Sequence, residues 1–146
     1  MTENELVRIL KANPDLSTAE PWFRVAIPAI EATITCERDL QAAVIEECDR
    51  RAQYNPLYSM VAAIPNGMVR RGARVDAGVR AGLPDLVVLL PRRGYHAAFI
   101  ELKFGKNRLH EMQRRWIERL KAEGYCATVI WDSVEEVMDF LTYYIE

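Results

Sequence analysis

Residues 78–103 read GVRAGLPDLVVLLPRRGYHAAFIELK. Two apolar runs, Leu86–Leu90 and Ala97–Ile100, flank a breaker cluster, Pro91-Arg92-Arg93-Gly94. Short runs rich in branched and aromatic side chains around such punctuation predict two strands joined as a hairpin. A turn centred near Arg93 places Asp85 opposite Glu101, with Cβ atoms roughly 5 Å apart. Alternation along a strand puts Lys103 on the face of Glu101 and turns Leu102 the other way. Two acids and a lysine thus converge at the end of an otherwise apolar hairpin. They leave an uncompensated negative charge in a partly buried place, which a hard cation would complete.

Working outward, Glu37 to Gln53 predicts a helix, with Leu40, Val44, Ile45 and Cys48 at helical spacing and Asn55-Pro56 as its stop. Glu37 and Gln41 lie four apart and share a face distinct from the apolar one. Leu57 to Ile64 reads as a strand bounded by Pro56 and by Pro65-Asn66-Gly67. The loop that follows carries Arg70, Arg71 and Arg74, and a basic, glycine-containing loop suits contact with phosphates. After the hairpin, Asn107 is the expected cap of a helix over Arg108 to Glu123, in which Trp116 is expected in the core and Gly124 at C′. Tyr125 to Trp131 alternates as a strand, and Ser133-Val-Glu-Glu136 is a capping box opening a last amphipathic helix. The first third contains a short helix after the capping box Thr2–Glu5, then an irregular segment with Pro21 and Pro28. Residues 1–34 are read as an N-terminal extension and residues 35–146 as the main domain. The element order predicts an α/β fold, a mixed sheet of about four strands flanked by helices.

The net charge of −2 conceals a strong asymmetry. Residues 1–60 carry 6 basic and 10 acidic side chains, residues 61–124 carry 13 and 6, and residues 125–146 carry none and 5. The basic excess coincides with the hairpin and its flanks and favours a polyanionic partner. Three cysteines without CxxC spacing, and two histidines outside any ligand-spaced cluster, argue against a disulfide framework or a zinc site. No apolar run approaches the ~20 residues needed to cross a bilayer, and no signal peptide opens the chain, so a cytoplasmic protein without a membrane partner is expected.

Pro84-Asp85 followed by Glu101-x-Lys103 resembles the PD-(D/E)xK nucleases. The fuller set narrows the resemblance to the VRR-NUC family (virus-type replication-repair nucleases): Ile64-Pro65-Asn66-Gly67, Gly78-Val79-Arg80-Ala81-Gly82-Leu83-Pro84-Asp85-Leu86, Ile100-Glu101-Leu102-Lys103 and Gln113-Arg114-Arg115-Trp116. It covers about Thr35 to Trp131. The resemblance implies a restriction-endonuclease-like core and an endonuclease that hydrolyses DNA with Mg²⁺ or Mn²⁺. It implies Asp85, Glu101 and the Leu102 backbone carbonyl as metal ligands, with Glu37 completing the site. It also implies Lys103 beside the attacking water and the phosphate, and Gln41 and Gln113 positioning water or substrate. Asn66, Arg70, Arg71, Arg74, Arg80 and Lys106 are the expected DNA contacts. Small members of this kind imply a homodimer acting on four-way or otherwise branched DNA in replication, recombination or repair, in a bacterial or phage-infected cell. The last helix, with Phe140, Tyr143 and Tyr144, is the candidate dimer surface. Two other readings use the same residues: a non-catalytic DNA-binding module on the nuclease fold, and a protein inhibitor.

Overall fold

The computed structural model of the chain describes residues 33–65 and 77–146. Helix α1 spans Glu37–Ala52, with Glu37 and Asp39 in its first turn and Arg50 and Arg51 in its last, the polarity the helix dipole favours. A 3₁₀ turn over Pro56–Met60 leads into strand β1, Val61–Ala63. Strands β2 (Leu86–Val88) and β3 (Ala98–Lys103) form the hairpin. Helix α2 (Glu111–Ala122), strand β4 (Cys126–Trp131) and helix α3 (Val134–Ile145) complete the order.

The sheet runs β1-β2-β3-β4, antiparallel at the first two pairings and parallel at the third. It is therefore mixed and four-stranded. Leu86 pairs with Ile100 and Val88 with Ala98, the expected register, so Asp85 lies one step beyond the ladder, level with Glu101. Alternation sends Ile100 and Leu102 to one face, both fully buried, and Phe99, Glu101 and Lys103 to the other. Helix α2 covers the second face, where Ile117 and Leu120 pack on Ala127 with Phe99 and Val129. Helix α1 packs on β1 and β3 and against α3, with Leu40, Val44, Val137 and Leu141 completely buried.

The region expected as a strand over Leu57 to Ile64 is 3₁₀ through Met60 and extends as strand only over Val61–Ala63. Asn55 accepts a hydrogen bond from the Leu57 backbone (3.1 Å), and Pro56 supplies a preset φ at the first position, so the chain turns before it extends. Helix α2 starts at Glu111 rather than Arg108: Gln113 Oε1 accepts from His110 N (2.9 Å), and Asn107 does not cap it. The helix ends as expected. Gly124, at φ +84°, lets its own N–H reach Lys121 O (3.2 Å) and Tyr125 N–H reach Leu120 O (3.0 Å), the paired bonds of a Schellman motif.

A buried polar network joins α1 to α3. Glu47 accepts from Arg50 and Arg51, and Arg51 Nη1 donates to Thr142 (2.9 Å) and to Tyr58 Oη (3.1 Å). Tyr58 Oη also donates to Glu146 (3.2 Å). Tyr144, expected on a dimer surface, is instead buried, with its hydroxyl donating to Leu90 O (2.8 Å). Tyr143 is 42% exposed. Arg92 and Arg93, part of the basic excess, sit at the turn end of the hairpin. Arg92 donates to Ile145 O (3.2 Å) and Arg93 to Tyr143 O (2.7 Å), where the last turn of α3 leaves its carbonyls without helical partners.

Candidate active site

Glu101 and Lys103 are the buried charged pair of β3, 0% and 2% exposed. Lys103 Nζ lies 2.8 Å from Glu101 Oε1 and 3.3 Å from Glu37 Oε1, so the start of α1 and the end of β3 meet here. Gln113 Nε2, from the first turn of α2, donates to the same Glu101 Oε1. Asn107 Nδ2 donates to Glu37 Oε1 (3.1 Å), which is the place its side chain takes instead of a helix cap. Asp85 Oδ2 accepts from Leu102 N (2.7 Å), and the Asp85 carbonyl accepts from Ile64 N (2.8 Å). Four segments of the described chain thus converge around β3.

The direction of the Leu102 carbonyl follows from the ladder. The N–H and C=O of one strand residue point to the same edge. Leu102 N–H points to Asp85, so its carbonyl faces the Asp85 side, whereas Lys103 O faces β4 and accepts from Asp132 N (2.9 Å).

Burial pushes the Glu101 carboxyl up to about 7; the Lys103 contact opposes this, and the nearby Asp85 and Glu37 carboxylates add to it. For Lys103 burial acts downward, but Glu101 and Glu37 hold it above the ordinary lysine value, so it is an ammonium ion here. Glu101 and Glu37 flank the Lys103 ammonium, and Asp85 lies near enough to Glu101 to act on its charge. Glu101 Oε2 is buried without a hydrogen-bond partner among the described residues. A buried carboxylate oxygen normally finds a donor, and leaving it bare costs of the order of 1–3 kcal/mol or more.

The donor set is hard oxygen throughout, the chemistry that suits Mg²⁺ or Mn²⁺. No group of three His, Cys, Asp or Glu side chains among the described residues forms a ready metal cage. Mg²⁺ does not require one, since it keeps several waters and binds through one or two carboxylates. Asp85, the open oxygen of Glu101 and the Leu102 carbonyl fit such an ion.

Of the other expected site residues, Gln41 is half-buried one turn past Glu37 on α1 and joins none of these hydrogen bonds. Arg80 and Lys106 are exposed, on the segments just before Asp85 and just after Lys103. Asn66, Arg70, Arg71 and Arg74 lie outside the described residues, as do the helix and irregular segment expected in the first third. Sequence reasoning missed Asn107 in the cluster, because Asn ahead of a helical pattern reads first as a cap. It also placed Trp116 in the core; Trp116 is half-buried, and its indole N–H donates to Ala81 O (3.1 Å).

A family model for the VRR-NUC domain matches residues 29–131, more than half of the chain. The chain belongs to the VRR-NUC domain family. A solved structure described as a VRR_NUC domain protein is 31% identical, with a TM-score of 0.62, and the match covers 76% of this chain and 88% of that one. No curated protein matches. The VRR-NUC match spans every member of the Glu37–Asp85–Glu101–Lys103–Gln113 cluster, and the mixed sheet flanked by helices is that of a restriction-endonuclease-like core. VRR-NUC is a nuclease family, so the substrate class is DNA. No helix among the described residues is long and apolar enough to cross a membrane.

Proposed function

We propose that the chain is a divalent-metal-dependent endodeoxyribonuclease, selective for branched DNA such as four-way junctions and working as a homodimer in phage or prophage replication, recombination or repair. The observation that carries the metal-dependent reading is the partnerless buried oxygen of Glu101, on a carboxylate that burial makes hard to ionise, beside Asp85 and Lys103. An isolated salt-bridged strand end does not call for such an atom.

Asp85, Glu101 and the Leu102 carbonyl would hold Mg²⁺ or Mn²⁺, with Glu37 reaching it directly or through water. The ion would polarise the phosphate and lower the pKa of bound water. The chain's own residues do the rest. Gln113 occupies Glu101 Oε1 together with Lys103, so neither takes up Oε2. Lys103, charged and held by two carboxylates, donates to a phosphate oxygen and orients the attacking water. Asn107 and Lys103 together hold Glu37 at the edge of the site. Gln41 positions water from the next turn of α1. Asn66, Arg70, Arg71, Arg74, Arg80 and Lys106 grip the backbone of the substrate beyond the cleaved phosphate.

The test is cleavage of four-way junction, flap, linear duplex and single-stranded DNA with Mg²⁺, Mn²⁺ or EDTA. Wild type is compared with Asp85→Asn, which keeps an acceptor for Leu102 N–H, and with Lys103→Ala. Metal-dependent cutting, reduced about 100- to 1,000-fold or more in each variant, supports the assignment, and the preferred substrate and the mass of the DNA complex test branch selectivity and the dimer. A wild type that binds junctions and cuts nothing with either metal refutes it in favour of a DNA-binding module. Binding of no DNA at all favours the inhibitor reading.

A further inference from the structure

The two acids of the proposed metal site have unequal support. Glu101 lies within β3, paired to β4 through Val129. Asp85 lies just outside β2, at the end of a turn-rich segment, 77–85, where its carbonyl accepts from Ile64 N and its carboxylate from Leu102 N. The turn ahead of Asp85 is fastened in addition to the first half of α2. At Gly82, φ is +84°, and a Cβ there would stand 2.9 Å from Met112 Cβ and 3.0 Å from the Met112 carbonyl carbon. One turn along α2, Trp116 Nε1 donates to the carbonyl of Ala81 (3.1 Å). Between these two contacts on the same helix sits Gln113, whose side chain holds Glu101.

We propose that Trp116 and Gly82 are positioning residues that set the separation of Asp85 and Glu101, by fastening the turn before Asp85 to the helix that holds Glu101. This role rests on the metal-dependent reading above. Residues 112–116 form a single helical turn, a rigid spacer about 5.4 Å in pitch. Gripping both ligand segments with one rigid element removes the slack that a turn would otherwise pass on to Asp85. The tolerance makes this matter. A productive site needs its groups held within about 0.5 Å. Carbon atoms rest about 3.5–4.0 Å apart, so a Cβ on Gly82 forces the turn and the helix apart by roughly that tolerance. The indole is suited to its part, since it has one donor, no acceptor and a large flat body that packs while the N–H reaches out.

The experiment uses the full chain and Mn²⁺ as the probe. Trp116→Phe keeps the ring and removes the donor; Gly82→Ala adds the methyl. Each is expected to weaken Mn²⁺ binding about 10-fold, in the range seen when partners of metal ligands are removed. The cleavage kcat should fall with it while KM for DNA stays near wild type. The double variant should lose less than the product of the single losses, because both contacts fasten the same turn to the same helix. Metal-free melting should change little for Trp116→Phe. Wild-type Mn²⁺ affinity and kcat in Trp116→Phe overturn the role. So does a loss of activity that follows only the unfolded fraction and returns on cooling, which marks a merely structural contact. A wild type that neither binds Mn²⁺ nor cuts DNA refutes the metal-dependent reading itself and removes this role with it. Intact wild-type binding with unaffected variants refutes the role alone.

Discussion

Lowering the pH should weaken metal binding through one identifiable group. Burial pushes the Glu101 carboxyl from 4.5 up to about 7, and a metal ligand must be deprotonated. At pH 8 roughly nine-tenths of the metal-free protein has Glu101 ionised; at pH 5.5 about 3% does, so apparent Mn²⁺ affinity should fall about 30-fold between them. An ordinary glutamate would be almost fully ionised at both values, and affinity would stay within twofold. The same shift acts on stability. The folded-state pKa lies above the unfolded value, so the folded chain holds the proton more tightly between about 4.5 and 7. Stability from this group is fully present below 4.5 and is lost as pH rises through 7, by roughly 3 kcal/mol in the absence of metal. Saturating Mn²⁺ should therefore raise the melting temperature more at pH 8 than at pH 5.5. The assay is calorimetric titration with Mn²⁺ at half-unit steps of pH, beside melting curves with and without the ion, with circular dichroism confirming the fold at each step. A flat affinity from pH 8 to 5.5 would refute the reasoning, because it would mean that Glu101 ionises freely or takes no part in binding.

Three further outcomes separate structure from site. Glu47→Ala breaks the buried network among Glu47, Arg51, Tyr58 and Thr142, and should cost about 3 kcal/mol in urea unfolding while leaving kcat per folded molecule unchanged. Arg92→Ala with Arg93→Ala should leave the salt dependence of DNA binding at its wild-type slope, since both side chains serve carbonyls of α3 at the far end of the hairpin. Gly124→Ala forces a side chain into φ +84° and within 3.1 Å of the His96 ring, and should lower stability by about 1–3 kcal/mol in the same unfolding assay.

The hairpin was legible because its punctuation is local. Pro91 to Gly94 fixes the turn, the turn fixes the register, and the register alone places Asp85 level with Glu101. Helix α1, the C-terminal end of α2 and the start of α3 were legible for the same reason, as Gly124 and Ser133 act within one turn of where they stand. Contacts made across the fold were not. The 3₁₀ turn at Pro56 depends on Asn55 and on Tyr58 finding Arg51 and Thr142 more than 80 residues of chain away in the last case. Asn107 resembles a cap until Glu37, 70 residues upstream, is brought beside it. Trp116 carries an apolar ring at core spacing, and only the turn at Ala81 gives its N–H a partner. Charge counting also blurred a distinction: the sequence contains the arginines at 92 and 93 in its basic excess, but the fold turns them to the carbonyl end of a helix.

The placement of Glu101 and Lys103 on one face of β3 bears on how the sheet assembles. Were β3 to slide by one residue against its neighbours, every side chain would change face. Glu101 and Lys103 would then enter the layer where Ile100 and Leu102 are now fully buried, and taking charged groups into such apolar surroundings costs several kcal/mol per ion in desolvation. An all-valine strand would carry no comparable bias between the two alignments. The residues proposed for chemistry therefore also guard the folding chain against a shifted pairing, and selection for catalysis would preserve correct assembly as a by-product.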